Sequence, residues 1–537
     1  MLKLITISLL LLNLAIAQMQ KPMDMPHAEM DHDDMTLCRF APAIKFSELA
    51  PAVLMTGVGN SQFKVSTKSN EAQKFIDQGI NMLHSFWDLE AYRSFKKATE
   101  LDPNCAIAYW GLFNSITQTS GEMREERQNA LKKAEELMVN ATDREQRYIK
   151  ATRARFKGKD QYIEEMEALI DAYPEDVQAK LFLANTLSSG VATYKADGSP
   201  APGKLYGQMI LKDVLHTHPD LAAAHHYWIH AVENGPRPEI ALESAARVAQ
   251  MAPHVGHMVH MPGHIYFRIG EFQKAIDAFL QSMKVDSAYM KDYDMNPINN
   301  WNYTHNLDYL IATYAENGNL DEGLRWAKAV REMELDKDRS MAGGLSYILF
   351  GTYTAHTRLY IRYQIWDDAL KSIDELLEKE IELKTIASEY YKGMRFYILG
   401  MQAFKNKDSK VINESIVQLN ALLEKLNGVR PEIAGDWYFR FALKILNVNA
   451  KELQGLSLSL QNKTNEAITA LENANTEERD IGYWEPPHYV RPVLESLAEV
   501  YSRAGKKKEA IATYQRALKL RPNNVHSLNA LKRLSAN

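Results

Sequence analysis

Past residue 66 the apolar positions of this 537-residue chain do not alternate with polar ones as strands would, and Val/Ile/Thr runs bounded by turn residues are nearly absent. What recurs is a longer unit. In "PVLESLAEVYSRAGKKKEAIATYQRALKLRPNN" the small residues Ala498, Gly505, Ala510 and Ala517 interleave with Tyr501, Tyr514 and Pro522. Small residues suit the close crossing of two antiparallel helices, and aromatics fill the gaps between them. The same order returns in "FWDLEAYRSFKKATELDPN", with Ala91, Phe95, Ala98 and Pro103. It returns again in "GHIYFRIGEFQKAIDAFLQS", with Gly263, Tyr266, Gly270, Ala275 and Phe279. Degenerate copies lie around 318–329, 366–373 and 465–471.

These offsets are those of a tetratricopeptide repeat, with its period of about 34 residues. The predicted fold is therefore all-α: a right-handed solenoid of antiparallel helix pairs, each burying its apolar face on its neighbours. The closing "VHSLNALKRLSAN" reads as a capping helix. The expected organisation is repeats with clustered histidines over 66–335, degenerate helical repeats over 336–480, and a C-terminal repeat with its cap over 484–537.

The histidines follow the same period. His226 and His230 are four residues apart, as are His260 and His264, so each pair shares one helix face. From His226 to His260, and from His230 to His264, is 34 residues. With Gly263 at repeat position 8, His257, His260 and His264 take positions 2, 5 and 9, which in these repeats line the concave groove. Registering the next repeat on Gly318 puts His305 at position 2 and Asp308 at position 5. Glu233 lies three residues beyond His230, on its face. One groove is thus expected to gather His226, His230, Glu233, His257, His260, His264 and His305, with Asp308 nearby, as ligands of a transition metal. A lone HxxxH is weak evidence, because helix histidines usually pack or face solvent; two pairs offset by one repeat are harder to assign to packing. His84, His216, His218, His225, His254, His356, His488 and His526 fall outside this set. Pro262, lacking a helical N–H, is expected to kink the helix or start it anew between His260 and His264, or simply to begin it.

The segments "GINMLHSFWDLEAYRSFKKATELDPNCAIAYWGL", "AAHHYWIHAVENGPRPEIALESAARVAQMAPHVGHMVHMPGHIYFRIGEFQKAIDAF" and "YWEPPHYVRPVLESLAEVYSRAGKKKEAI" carry a family resemblance. The chain resembles bacterial, often exported, tetratricopeptide repeat proteins that share HYxIHxxE, GHxxHMPxHIY and a later HN. The resemblance runs from about residue 70 to the end, weakly over 340–480. It implies that His226, His230, Glu233, His257, His260, His264, His305 and Asn306 form the site, and it implies no reaction.

Composition narrows the classes. A net charge of −5 with no basic run argues against nucleic acid. "MLKLITISLLLLNLAIAQ" reads as a signal peptide over residues 1–17: Lys3, an apolar core from Ile5 to Leu14, and Ala15-Ile16-Ala17 as the cleavage site. Export to a periplasm or the medium is expected, with no membrane span. Residues 18–45 form a Met/His-rich tail in which Met19, Met23, Met25, His27, Met30, His32 and Met35 offer soft and imidazole ligands suited to copper. The plainer reading is a disordered acidic linker. Cys38 and Cys105 can form a disulfide in an oxidising compartment or stay as thiols, and two cysteines exclude a cysteine-based zinc cluster.

Three functions stay open on the sequence: a binder of a transition metal (copper favoured, zinc and iron next) with a copper-handling tail; a metal-dependent oxidase or hydrolase using the same histidines, with Glu233 as base or ligand; and a scaffold holding a peptide or protein in its groove. Histidines in place of the Asn, Lys and Arg that grip peptides favour the metal readings. No nucleophile motif or phosphate loop is visible, so catalysis here would rest on the metal. The candidate ligands exceed what one ion needs.

Overall fold

Close helix crossings are set by a few glycines. Gly263, in the helix Gly256–Arg268, lies against the ring of Phe279 from the helix Phe272–Asp292, where any β-carbon would collide. Seven residues after that crossing the chain must reverse. Gly270, Gly318 and Gly505 make this turn with φ of 79°, 88° and 74°, a region that costs L side chains energy. The first pair breaks the pattern: seven residues after Gly79 stands Phe86, with φ 56°.

The computed structural model describes residues 49–536 apart from 118–121, 189–192, 196, 334–349, 384–386, 430–436 and 488. Among the described residues are 23 α-helices and no strand, as the sequence predicts. Some helices begin where a side chain accepts an orphan N–H: Ser69 caps Asn70–His84, and Thr142 with Glu145 forms a reciprocal capping box at Asp143–Ala154, whereas Ala222–Val232 and Gly256–Arg268 start without one. Most helices pack on their sequence neighbours, the mark of a repeat stack. Over the degenerate region the helices lengthen, to 24 residues in Trp437–Leu460, which blurs the period. No described helix is long and apolar enough to cross a membrane. The signal-peptide and Met/His-tail readings, with Cys38, lie outside the described residues; Cys105 is buried.

Two contacts close the stack on itself. At the front, an extended segment clasps later repeats: Gly57 O accepts the His254 N–H at 3.0 Å, and Asn60 Nδ2 donates to Asp220 O at 2.7 Å. At the back, the last repeat folds onto the middle of the chain. Arg362 Nη1 donates to Glu495 at 2.8 Å, Arg521 Nη1 to Glu316 at 3.2 Å, and Asn523 Nδ2 to Gly270 O at 3.4 Å. Other parts of the chain lie against the histidines: the His84 carbonyl and the Phe86 ring meet His226, and Tyr309, bonded to Tyr483, meets His264. Pro262 does not begin its helix: it sits inside one that starts at Gly256.

This closure carries a pH signature. Burial alone would raise the Glu495 carboxyl, yet Arg362 and Arg491 hold it down at about 2, from an ordinary 4.5. The unfolded chain then binds the extra proton between those values, so the contribution is complete above about pH 4.5 and lost as pH falls toward 2. Its size is about 3 kcal/mol. Urea unfolding across that window should show a shallower pH slope in Glu495→Gln than in the parent chain; identical slopes would refute the assignment.

Candidate metal centre

Three helices and one irregular segment build the site. Ala222–Val232 carries His226 and His230, with Glu233 as its C-terminal cap residue. Gly256–Arg268 carries His257, His260 and His264, and Trp301–Asn317 carries His305. The segment after Asp480 brings Glu485 alongside. None of the six histidines or Glu233 is more than 4% exposed.

The imidazoles sort into two trios, His226/His230/His257 and His260/His264/His305, each with its ligand nitrogens within 4.8 Å of one another. In the first, His257 Nε2 lies 3.1 Å from His226 Nε2 and 3.5 Å from His230 Nε2. In the second, His260 Nε2 and His264 Nε2 are 2.6 Å apart.

What the opposite ring nitrogens do decides the chemistry. His226 Nδ1 donates to the His84 carbonyl at 2.5 Å. His257 Nδ1 donates to Asn302 Oδ1 at 3.2 Å, and His260 Nδ1 to Asn306 Oδ1 at 2.5 Å. Both amides are fixed in that sense, because Asn302 Nδ2 donates to Asp286 at 2.6 Å and Asn306 Nδ2 to Phe279 O at 2.7 Å. Glu233 receives His230 Nδ1 on one oxygen, at 2.6 Å, and His264 Nδ1 on the other. With Nδ1 committed as donor, a neutral ring presents a bare lone pair at Nε2. Burial pulls His230 down to about 4 and holds His257, His260 and His264 well below the ordinary histidine value. When Glu233 is ionised and accepts from both rings, lone pairs face each other in a buried site, which costs about 1–3 kcal/mol per unsatisfied group. A cation removes that cost. Ligand nitrogens at the usual 2.0–2.1 Å from a tetrahedral ion stand about 3.3 Å apart, and the first trio's 3.1 and 3.5 Å bracket that value.

The walls are apolar and aromatic. Phe86, held in its unusual backbone conformation, lays its ring 4.7 Å from His226 and 5.7 Å from His257. Tyr309 lies 4.5 Å from His264 and shares a 2.8 Å hydrogen bond with Tyr483. Burial raises the Glu233 carboxyl to about 8, against a hydrogen bond from Glu485 and the charges of Lys204 and Arg268. Lys204, itself buried, is drawn down to about 7 by its burial, with Glu233 and Glu485 opposing.

All seven residues expected from the register come together. Asp308 does not join them: its carboxylate is taken by the buried Arg358 guanidinium, which a buried charge requires as partner. His225 is held by Ser244 and the Pro219 carbonyl at 2.8 Å each, and His84 presents its carbonyl rather than its ring to His226. Glu485, Phe86, Asn302 and Lys204 were not singled out from the sequence. For Glu485 the available signal was a lone charge between aromatic and prolines in "YWEPP".

The tetratricopeptide repeat family model matches residues 492–524. No curated protein matches the chain. Among solved structures, the chain is similar to yeast Tom70 at 14% identity, covering 88% of this chain and 96% of that one, with a TM-score of 0.33. It is similar to the human IFIT1 dimer with m7Gppp-AAAA at 13% identity, covering 88% and 96%, with a TM-score of 0.34. The Cut9–Hcn1 heterotetramer of the APC/C gives 13% identity, 87% and 78% coverage, and a TM-score of 0.35.

Proposed function

We propose that the chain is an exported helical-repeat metalloprotein that binds a transition metal, copper favoured, through the buried histidine cluster, with the Met/His tail capturing or delivering copper. The observation that carries this reading is the commitment of five Nδ1 atoms as donors, which turns the Nε2 lone pairs toward one another. Imidazole-only ligation suits copper, zinc, iron and nickel, and copper binds most tightly of these at a given nitrogen site.

A catalytic role is favoured by a separate observation. Three imidazoles leave a coordination position open. A cavity of about 720 Å³, lined in part by Arg268, Tyr483 and Trp484, is separated from His264 by the Tyr483–Tyr309 pair. A peptide in the groove, the scaffold reading, would have to displace the chain's own covering segments to reach the histidines.

Elemental analysis after metal-replete expression tests the metal reading. The parent chain should retain copper through dialysis, and His260→Ala/His264→Ala should lose about half of it or more. A chain lacking residues 18–35 should load fully but more slowly. Absence of Cu, Zn, Fe, Mn and Ni from the parent chain would end the proposal. Azide added to the copper(II) form should produce a new charge-transfer band; a spectrum unmoved by azide would remove the catalytic reading.

A further inference from the structure

The two trios are the same construction made twice. In the first, His226 and His230 take positions 5 and 9 of one repeat and His257 takes position 2 of the next. In the second, His260 and His264 take positions 5 and 9 of that next repeat and His305 takes position 2 of the one after. The repeat that stacks the helices also copies the ligand set. It stops there: the following position 5 is Asp308, already paired with Arg358, and the following position 9 is Ala312.

The copies touch without a spacer. His257 and His260 lie ring against ring at 5.8 Å, and His230 and His264 at 5.7 Å. One carboxylate serves both: Glu233 orients His230 of the first trio and His264 of the second. The second repeat has Phe267 where the first has Glu233, 34 residues on, so the second trio depends on the first repeat's carboxylate. Shared orientation through the outer nitrogens is how a protein tunes neighbouring metal ligands together.

From this we infer that the site holds two ions of the same metal, one per trio, close enough to share one small bridging ligand of hydroxide, azide or dioxygen size. The inference rests on the metal reading above and adds the number of ions, their separate ligand sets and their coupling. Paired ions in proteins commonly stand about 3.5–4 Å apart, where a single bridging atom or diatomic reaches both. A lone ion would leave one trio's lone pairs facing each other.

The experiment loads the full chain with copper(II), removes excess by dialysis, and measures copper by elemental analysis and unpaired spins by double integration of the electron paramagnetic resonance signal. The parent should hold two coppers per chain with far less than two spins, because bridged copper(II) ions couple. His226→Gln/His257→Gln and His260→Gln/His305→Gln should each hold one copper with one full spin. Glutamine keeps volume and polarity, and unchanged helical circular dichroism with a cooperative melt establishes that each variant is folded. One copper in the parent would overturn the inference while leaving metal binding standing. Two coppers with two full, uncoupled spins would overturn the shared bridge. No copper in a folded parent would remove the metal reading itself. A folded variant at either trio that loses both ions would overturn the separate ligand sets.

Discussion

Replacing Arg362 by Met should cost about 3 kcal/mol of unfolding free energy, the low end of the penalty for breaking a buried ion pair, because Arg491 and Arg521 stay beside Glu495 and Glu316. Arg362 is only 1% exposed in its side chain and sits between Glu316 of the central repeats and Glu495 of the last one. Asn524 accepts from it at 3.0 Å, so a single guanidinium holds partners up to 162 residues from it along the chain. The loss should appear in chemical denaturation as a lower midpoint. Arg362→Met/Glu495→Met should recover part of it, because the double change removes charge and counter-charge together. A single variant within 1 kcal/mol of the parent would show that the closure is held elsewhere.

Glu233→Ala should lower metal affinity about 10- to 100-fold, as loss of a residue orienting metal-bound histidines does. The physical reason is that His230 and His264 would lose the acceptor that fixes their Nδ1 protons. Each ring could then place its proton on Nε2 and withdraw the lone pair from the metal. Because Glu233 contacts both trios, the loss should fall on both ions in a competition titration with a chelator of known affinity. Glu233→Gln should be milder at one trio, since an amide oxygen still accepts from one histidine. An Ala variant with parental affinity would reduce Glu233 to a filler of space.

The register was enough to bring the clustered histidines together but not to give their surroundings. The 34-residue offset places His226, His230, His260 and His264 on equivalent helix faces whatever the rest of the chain does, because helical periodicity and repeat stacking are local rules. Burial of those faces depends on contacts such as His226 with the His84 carbonyl, 142 residues apart, and no periodic pattern encodes them. Glu485 escaped for the same reason: it reaches His264 from an irregular segment outside any repeat register. Asp308 shows the opposite failure. Its register position was right for a ligand, but an arginine one helix pair away claims its charge. Phe86 was invisible because its role follows from a backbone angle rather than from its residue type.

The closing of the last repeat over the middle of the chain has a kinetic meaning. An open stack of repeats frays from its ends, each unit opening nearly independently of distant ones. Here the terminal unit is anchored, through Arg521 to the Tyr489 and Val490 carbonyls, to the segment that carries Tyr483 and Glu485 to the buried centre, so its opening and that segment's release become one event. Metal would then leave at the rate at which that segment unlatches, however tightly the histidines hold it. On the metal reading, a chain weakened only at Arg362, which bonds none of the site histidines, would exchange its ions faster while binding them with nearly the same strength when shut.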